Sequence, residues 1–155
     1  MNLIIFGPPG AGKGTQANFI VNKFNLYQLS TGEILRNEIK KKTELGKEIS
    51  SIINSGSLVS DEVVKKLVEN FISDQKYNNR LIFDGYPRNL TQAKTLNELL
   101  TKYDQKINLV LKLSVSLKTI KKRILERRNI EKRADDNEEN AIKRYETYEK
   151  STEPV

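Results

Sequence analysis

Cysteine and histidine are both absent from the 155-residue sequence. Without cysteine there is no disulfide framework and no thiolate metal site, a cysteine zinc site included. Without histidine the usual general base, the Ser–His nucleophile pair and most transition-metal sites drop out. Any chemistry falls to Lys, Arg, Asp, Glu and main-chain groups. Long apolar runs are missing too: none approaches the roughly 20 residues that span a bilayer as a helix, so no membrane partner is expected. Residues 1–6 run directly into Gly7-Pro8-Pro9-Gly10 with no basic leader or cleavage site. That pattern argues against a secretory signal and for a soluble cytoplasmic protein.

What is present suits one globular domain. Hydrophobic residues make up 37% and charged residues 30% of the chain, enough of the first to bury a core unaided by metals or crosslinks. The formal net charge of +7 admits three explanations: nucleic-acid binding, an anionic small substrate, or a solvated lysine-rich surface. The basic stretches at 40–42 and 121–123 lie in helix-like segments without stacking aromatics, so for lysine the solvated surface is preferred and no nucleic-acid partner is expected.

Apolar residues 3–6, stopped by Gly7, suit a buried parallel strand. Residues 13–24 place Ala17, Ile20, Val21 and Phe24 at helical spacing. Residues 30–71 read as mostly helical, broken near Lys42-Thr43 and across 54–57. Ser60-Asp61-Glu62 has the look of a helix cap before Val63, Val64, Leu67, Val68 and Phe71. A second strand at 81–83 ends in Asp84-Gly85. A helix over 91–103, a strand over 107–113 and a helix over 116–128 follow. Residues 129–136 read as a short polar loop, and 138–150 as a final helix. Alternating strands and helices imply a three-layer α/β fold, a parallel sheet with helices on both faces.

Between the first strand and the first helix lies Gly7-Pro8-Pro9-Gly10-Ala11-Gly12-Lys13-Gly14-Thr15. Glycines let successive N–H groups turn inward around phosphate oxygens. The following helix terminus adds unpaired donors and a favourable dipole, and Lys13 adds a cation. The bland alternative is a glycine-rich turn, and strand, GxxxxGK and helix in that order leave it little room. The hydroxyl comes one place late, at Thr15 rather than directly after Lys13. Magnesium is therefore expected to be held through water and the nucleotide more than by that hydroxyl.

Arg36, Arg88, Arg123, Arg127, Arg133 and Arg144 need a separate explanation. Arg88 lies in Asp84-Gly85-Tyr86-Pro87-Arg88, just past the carboxyl end of a buried strand, where open α/β sheets bind ligands. Asp84 could hold a magnesium-bound water; a plain strand-ending turn is the alternative for Asp84-Gly85. Phosphoryl transfer asks for two groups held in line within a dense positive field, which planar guanidinium forks supply without histidine. Taken singly, each arginine is more often a surface residue. Their joint placement at strand ends favours function.

The loop 7–16 with Gly14 before Thr15, Leu29-Ser30-Thr31-Gly32-Glu33-Ile34-Leu35-Arg36, the run 56–62, and Phe83-Asp84-Gly85-Tyr86-Pro87-Arg88 with Gln92 resemble the adenylate kinase family. So do Arg123, Arg127, Arg133-Ala134-Asp135-Asp136 and Arg144. The resemblance spans essentially the whole chain. It implies a P-loop kinase domain with core 1–29, 72–128 and 137–155, a helical segment 30–71 binding the nucleoside monophosphate, and a short lid loop 129–136. It implies reversible phosphoryl transfer from ATP to AMP giving two ADP, with Mg2+ and no zinc, by a monomer. Gly10, Ala11, Gly12, Lys13, Gly14 and Thr15 would hold the triphosphate, with Arg123 at the donor adenine and its phosphates. Thr31, Val59 and Gln92 would face the acceptor adenine, Arg36 and Arg88 would bind its phosphate, and Gly85 would belong to the same AMP site. Arg127, Arg133 and Arg144 would surround the migrating group, Asp135 would anchor the lid, and Asp84 would orient magnesium waters. The family continues with another strand and helix where this sequence stops at Val155. A UMP/CMP kinase, which shares loop and short lid, and a nucleotide-binding module without turnover remain alternatives.

Overall fold

The computed structural model describes residues 1–131 and 136–155. Strand β1 (Asn2–Phe6) is apolar on both faces: Leu3 and Ile5 point into one core and Ile4 into another. Strand β3 (Leu81–Asp84) repeats this, with Leu81 and Phe83 on the Ile4 side and Ile82 on the Leu3 side. Such strands must lie between two helical layers. Among the described residues, β1 and β3 are the central pair of a four-stranded parallel sheet in the order β2-β3-β1-β4. The expected three-layer architecture is present.

One face is covered by α1 (Lys13–Phe24), whose fully buried Ala17 meets Leu3, Ile5, Leu26 and Ile82. The other carries α2 (Thr31–Lys40), α3 (Glu44–Asn54), α4 (Asp61–Ser73) and α5 (Leu90–Lys102) around a larger core that includes Leu29, Ile49, Val68 and Leu96. Helices α6 (Leu117–Glu131) and α7 (Glu138–Thr147) share a third cluster of Ile120, Ile124 and Ala141. The chain then continues as a π-type turn over Tyr148–Thr152.

The structure differs from the sequence reading in three places. Strand β2 (Tyr27–Ser30) was not legible, because four residues with Leu29 alone fully buried give no clear periodicity. The strand expected over 107–113 is present as β4 (Ile107–Lys112), at the sheet's edge, with Leu109 and Val110 half exposed. Helix α6 runs to Glu131, three residues into the stretch expected to be loop; Asn129 and Glu131 are polar but compatible with a helix. Ser60 occupies the N-cap position of α4 without a side-chain cap hydrogen bond.

Parallel pairing places all four strand carboxyl ends on one side. Phe6-Gly7, Ser30-Thr31, Asp84-Gly85 and Lys112-Leu113 all open onto one cleft of about 1360 Å³. Among the described residues, no helix is long and apolar enough to cross a membrane.

Candidate active site

The loop between β1 and α1 needs glycine where the backbone is left-handed. Gly10 (φ +80°) also presses against α6: a Cβ there would lie 3.1 Å from Ile124 and 3.3 Å from the Ile120 carbonyl. Gly12 (φ +91°) is the N-cap of α1; it offers no side-chain cap, and no acidic residue lies in the helix's first turn. The positive end of the helix dipole is thus left unneutralised beside the cleft. Lys13 Nζ donates to the carbonyls of Gly7 at 2.7 Å and Pro8 at 3.0 Å. Burial lowers its pKa to about 8; Asp84 opposes that shift, while Arg88 and Arg127 reinforce it. Gly10, Ala11, Gly12, Lys13, Gly14 and Thr15 all line the cleft.

A second cationic focus lies beyond β2 and β3. A Cβ on Gly32 would sit 3.3 Å from Arg36 Nη1 and 3.6 Å from Arg88 Nη2, so two guanidinium groups converge on a space that any side chain would fill. Arg88 is aimed by its own turn: its Nε donates to the Gly85 carbonyl at 2.7 Å, and the Thr31 hydroxyl donates to the same oxygen at 3.0 Å. Desolvation lowers the Arg88 pKa, with Arg144 acting in the same direction and Asp84 against it. Beside this focus Leu35, Ile53, Leu58, Val59 and Val64 form an apolar wall, and Gln92 contributes a carboxamide to it. Thr31, Arg36, Val59, Gly85, Arg88 and Gln92 are therefore gathered on one side of the cleft.

The third group comes from α6 and α7. Arg123 Nη1 donates to the Ala11 carbonyl of the phosphate loop at 3.2 Å. Arg127 donates through Nε and Nη2 to both oxygens of Asp136, each at 2.6 Å, and Arg144 Nη1 lies 3.7 Å from the same carboxylate. Arg123, Arg127 and Arg144 all line the cleft. Arg133 and Asp135 lie outside the described residues. Asp136, to which the sequence assigned no role, engages two arginines.

Asp84 is buried at the end of β3 and accepts a hydrogen bond from Gln28 Nε2 at 2.8 Å. Its Oδ2 lies 3.9 Å from where a Cβ on Gly14 would be, so one hard carboxylate oxygen stands against the phosphate loop. Among the described residues no cluster of three or more His, Cys, Asp or Glu side chains could cage a metal. That donor set suits magnesium, which keeps several waters and is shared with substrate phosphates. It does not suit a closed protein-ligated site.

A parallel sheet whose first turn is a glycine loop running into a helix, facing converging arginines across a cleft, defines a P-loop phosphotransferase domain. A family model described as adenylate kinase matches residues 5–155. The chain is 45% identical over 181 residues to the adenylate kinase of Pelagibacter ubique, an alignment covering all of this chain and 85% of that protein. It is 42% identical over 177 residues to the adenylate kinase of Fusobacterium nucleatum, and 44% identical over 155 residues to that of Azobacteroides pseudotrichonymphae. Both alignments take in the whole of this chain, and 84% and 81% of those relatives respectively. The chain belongs to the adenylate kinase family.

Proposed function

We propose that this chain catalyses reversible phosphoryl transfer from ATP to AMP, giving two ADP, with the acceptor on the Arg36–Arg88 side and the donor on the loop 7–15. The observation that carries this reading is the convergence of Lys13, Arg88, Arg123, Arg127 and Arg144 on a single cleft. The reaction needs two polyphosphate-bearing partners brought end to end while charge develops on the migrating group. A preorganised cationic ring stabilises that charge more than it stabilises either ground state.

In this reading the main chain of residues 10–15 and Lys13 grip the donor phosphates, and Arg123 reaches them from α6. Arg36 and Arg88 hold the acceptor phosphate, with Thr31 and Gly85 fixing the Arg88 turn. Thr31, Val59 and Gln92 line the acceptor base chamber. Arg127 and Arg144, held by Asp136, and Arg133 close the charge around the transfer. Asp84 would hold Mg2+ through water; bound there with ATP, the ion would supply charge neutralisation of the phosphates. The helical segment 30–71 serves as the acceptor-side unit and residues 129–136 as a short lid. A monomeric cytoplasmic enzyme fits this reading.

The test is a coupled assay of ATP and AMP with magnesium on this 155-residue chain. ADP formation is expected, faster with AMP than with CMP or UMP. Binding of ATP without ADP formation would reduce the chain to a nucleotide-binding module, and preferred turnover of CMP would make it a pyrimidine nucleotide kinase.

A further inference from the structure

Gln92 is almost fully buried, and both ends of its carboxamide are engaged. Its Oε1 accepts from the main-chain N–H of Arg88 at 2.7 Å, and its Nε2 donates to Asp61 Oδ1 at 2.7 Å. A main-chain N–H can only donate and a carboxylate can only accept. The amide therefore has one permitted orientation, fixed from both ends by chemistry. Asp61 is itself held: Asn89 Nδ2 lies 3.3 Å from each of its oxygens, and Asn89 Oδ1 caps α5 at the N–H of Gln92 at 2.7 Å. Although Asp61 opens α4, its carboxylate accepts from Asn89 and Gln92 and, among the described residues, from no N–H of its own helix. It is spent on Gln92.

An amide has two N–H donors and two acceptor lone pairs. One of each is consumed here, which leaves one N–H and one lone pair for a base in the cleft that Gln92 lines together with Leu35, Ile53, Leu58, Val59 and Val64. Adenine presents an exocyclic amino donor next to a ring-nitrogen acceptor, which this pair matches. Hypoxanthine and uracil present a keto acceptor next to a ring N–H donor, which matches only an amide turned over. A buried donor facing a donor, or an acceptor facing an acceptor, is left unsatisfied in both partners.

We propose that Asp61, together with the Arg88 main-chain N–H, locks the Gln92 carboxamide in one orientation and so makes the acceptor site select an amino-bearing base edge over a keto-bearing one. This rests on the acceptor base occupying the chamber beside Gln92. Asp61 is a positioning residue that touches no substrate. It acts by denying Gln92 the alternative that the wrong base requires.

The experiment compares kcat/KM for AMP and IMP, whose bases differ at this edge, in the wild type, Asp61→Ala, and the paired exchange D61N/Q92E. The wild type is expected to prefer AMP by about ten-thousandfold, as sites built around a specific hydrogen bond do. Asp61→Ala should lower that ratio about tenfold or more, raise KM for AMP and leave KM for ATP unchanged. Thermal melting checks that Asp61→Ala folds, and the paired exchange carries the test where it does not. There the amide introduced at position 61 donates to the new carboxylate, keeping the bridge while leaving only acceptors toward the base, and preference should move toward IMP. An AMP-to-IMP ratio near one in the wild type, or the same ratio in every folded variant, overturns the proposal. So do losses falling equally on AMP, IMP and ATP, the signature of a merely structural tie. If the wild type transfers no phosphoryl group, the catalytic reading fails separately; calorimetric titration then reads the lock, tighter AMP than IMP supporting it and equal affinity overturning it.

Discussion

Arg127 and Asp136 form a two-pronged ion pair, Nε to Oδ2 and Nη2 to Oδ1 at 2.6 Å each, with the aspartate side chain fully buried and the arginine's 25% exposed. Arg144 approaches the same carboxylate from α7 at 3.7 Å. One anion thus holds two cations from different helices beside the phosphate loop. It sets their spacing at the wall of the cleft that both arginines line.

Removing that anion should be costly twice over. Asp136→Ala leaves two guanidinium groups close together without their shared carboxylate, and breaking such a buried pair costs about 3–5 kcal/mol. A lower melting temperature is expected together with at least a tenfold fall in kcat. Calorimetric melting and steady-state kinetics check both. A loss of stability with unchanged kcat would mean that the arginines do not need this anchor to reach the reacting group.

Lys13→Ala and Arg88→Ala should separate the two halves of the cleft. Loss of the Lys13 cation should remove on the order of 3 kcal/mol of transition-state stabilisation, roughly a hundredfold in kcat/KM for both substrates. Arg88→Ala should raise KM for AMP well beyond KM for ATP. Wild-type turnover in both variants would sink the site assignment.

Nucleotide binding should be linked to protonation of Lys13. With its pKa lowered to about 8, chiefly by burial, the ammonium is half deprotonated at that pH in the nucleotide-free protein. A bound polyphosphate favours the charged form, so binding takes up a proton: roughly half a proton near pH 8 and almost none near pH 6. Affinity should therefore weaken as pH rises above about 8. Calorimetry of magnesium-ATP binding in two buffers of different ionisation heat measures the uptake. The Lys13→Met variant should abolish it.

Gly46 sets two effects against each other. Alanine in place of glycine in a helix gains about 1 kcal/mol from propensity. At this position, however, the added Cβ would lie 2.1 Å from the Glu38 carbonyl, where α3 crosses the end of α2. Backbone must move to admit it, at a cost of about 1–3 kcal/mol or more. Gly46→Ala should lower the melting temperature, and a rise would show that the two helices separate easily.

The phosphate loop was readable because its function is local. Gly10, Gly12 and Lys13 act through backbone angles and a helix terminus only a few residues away, so their spacing in the chain carries the geometry. The central strands were equally plain, since β1 and β3 are apolar on both faces, the pattern of a strand between two helical layers. Strand β2 escaped because its partner is β3, more than fifty residues later, and pairing rather than composition makes it a strand. The reach of α6 to Glu131 escaped for the opposite reason, as polar residues permit a helix without announcing one.

The arginines mark the boundary most clearly. Residue order established that they exist at strand ends and on late helices, and that a cationic, histidine-free site had to work by charge and position. It could not say that Asp136 is paired with Arg127, nor that Asp61 is tied to Gln92 instead of its own helix. Those pairings join segments 9 and 31 residues apart. Backbone conformation follows from neighbours along the chain; which charge meets which, and which way an amide faces, follows only from how distant segments pack.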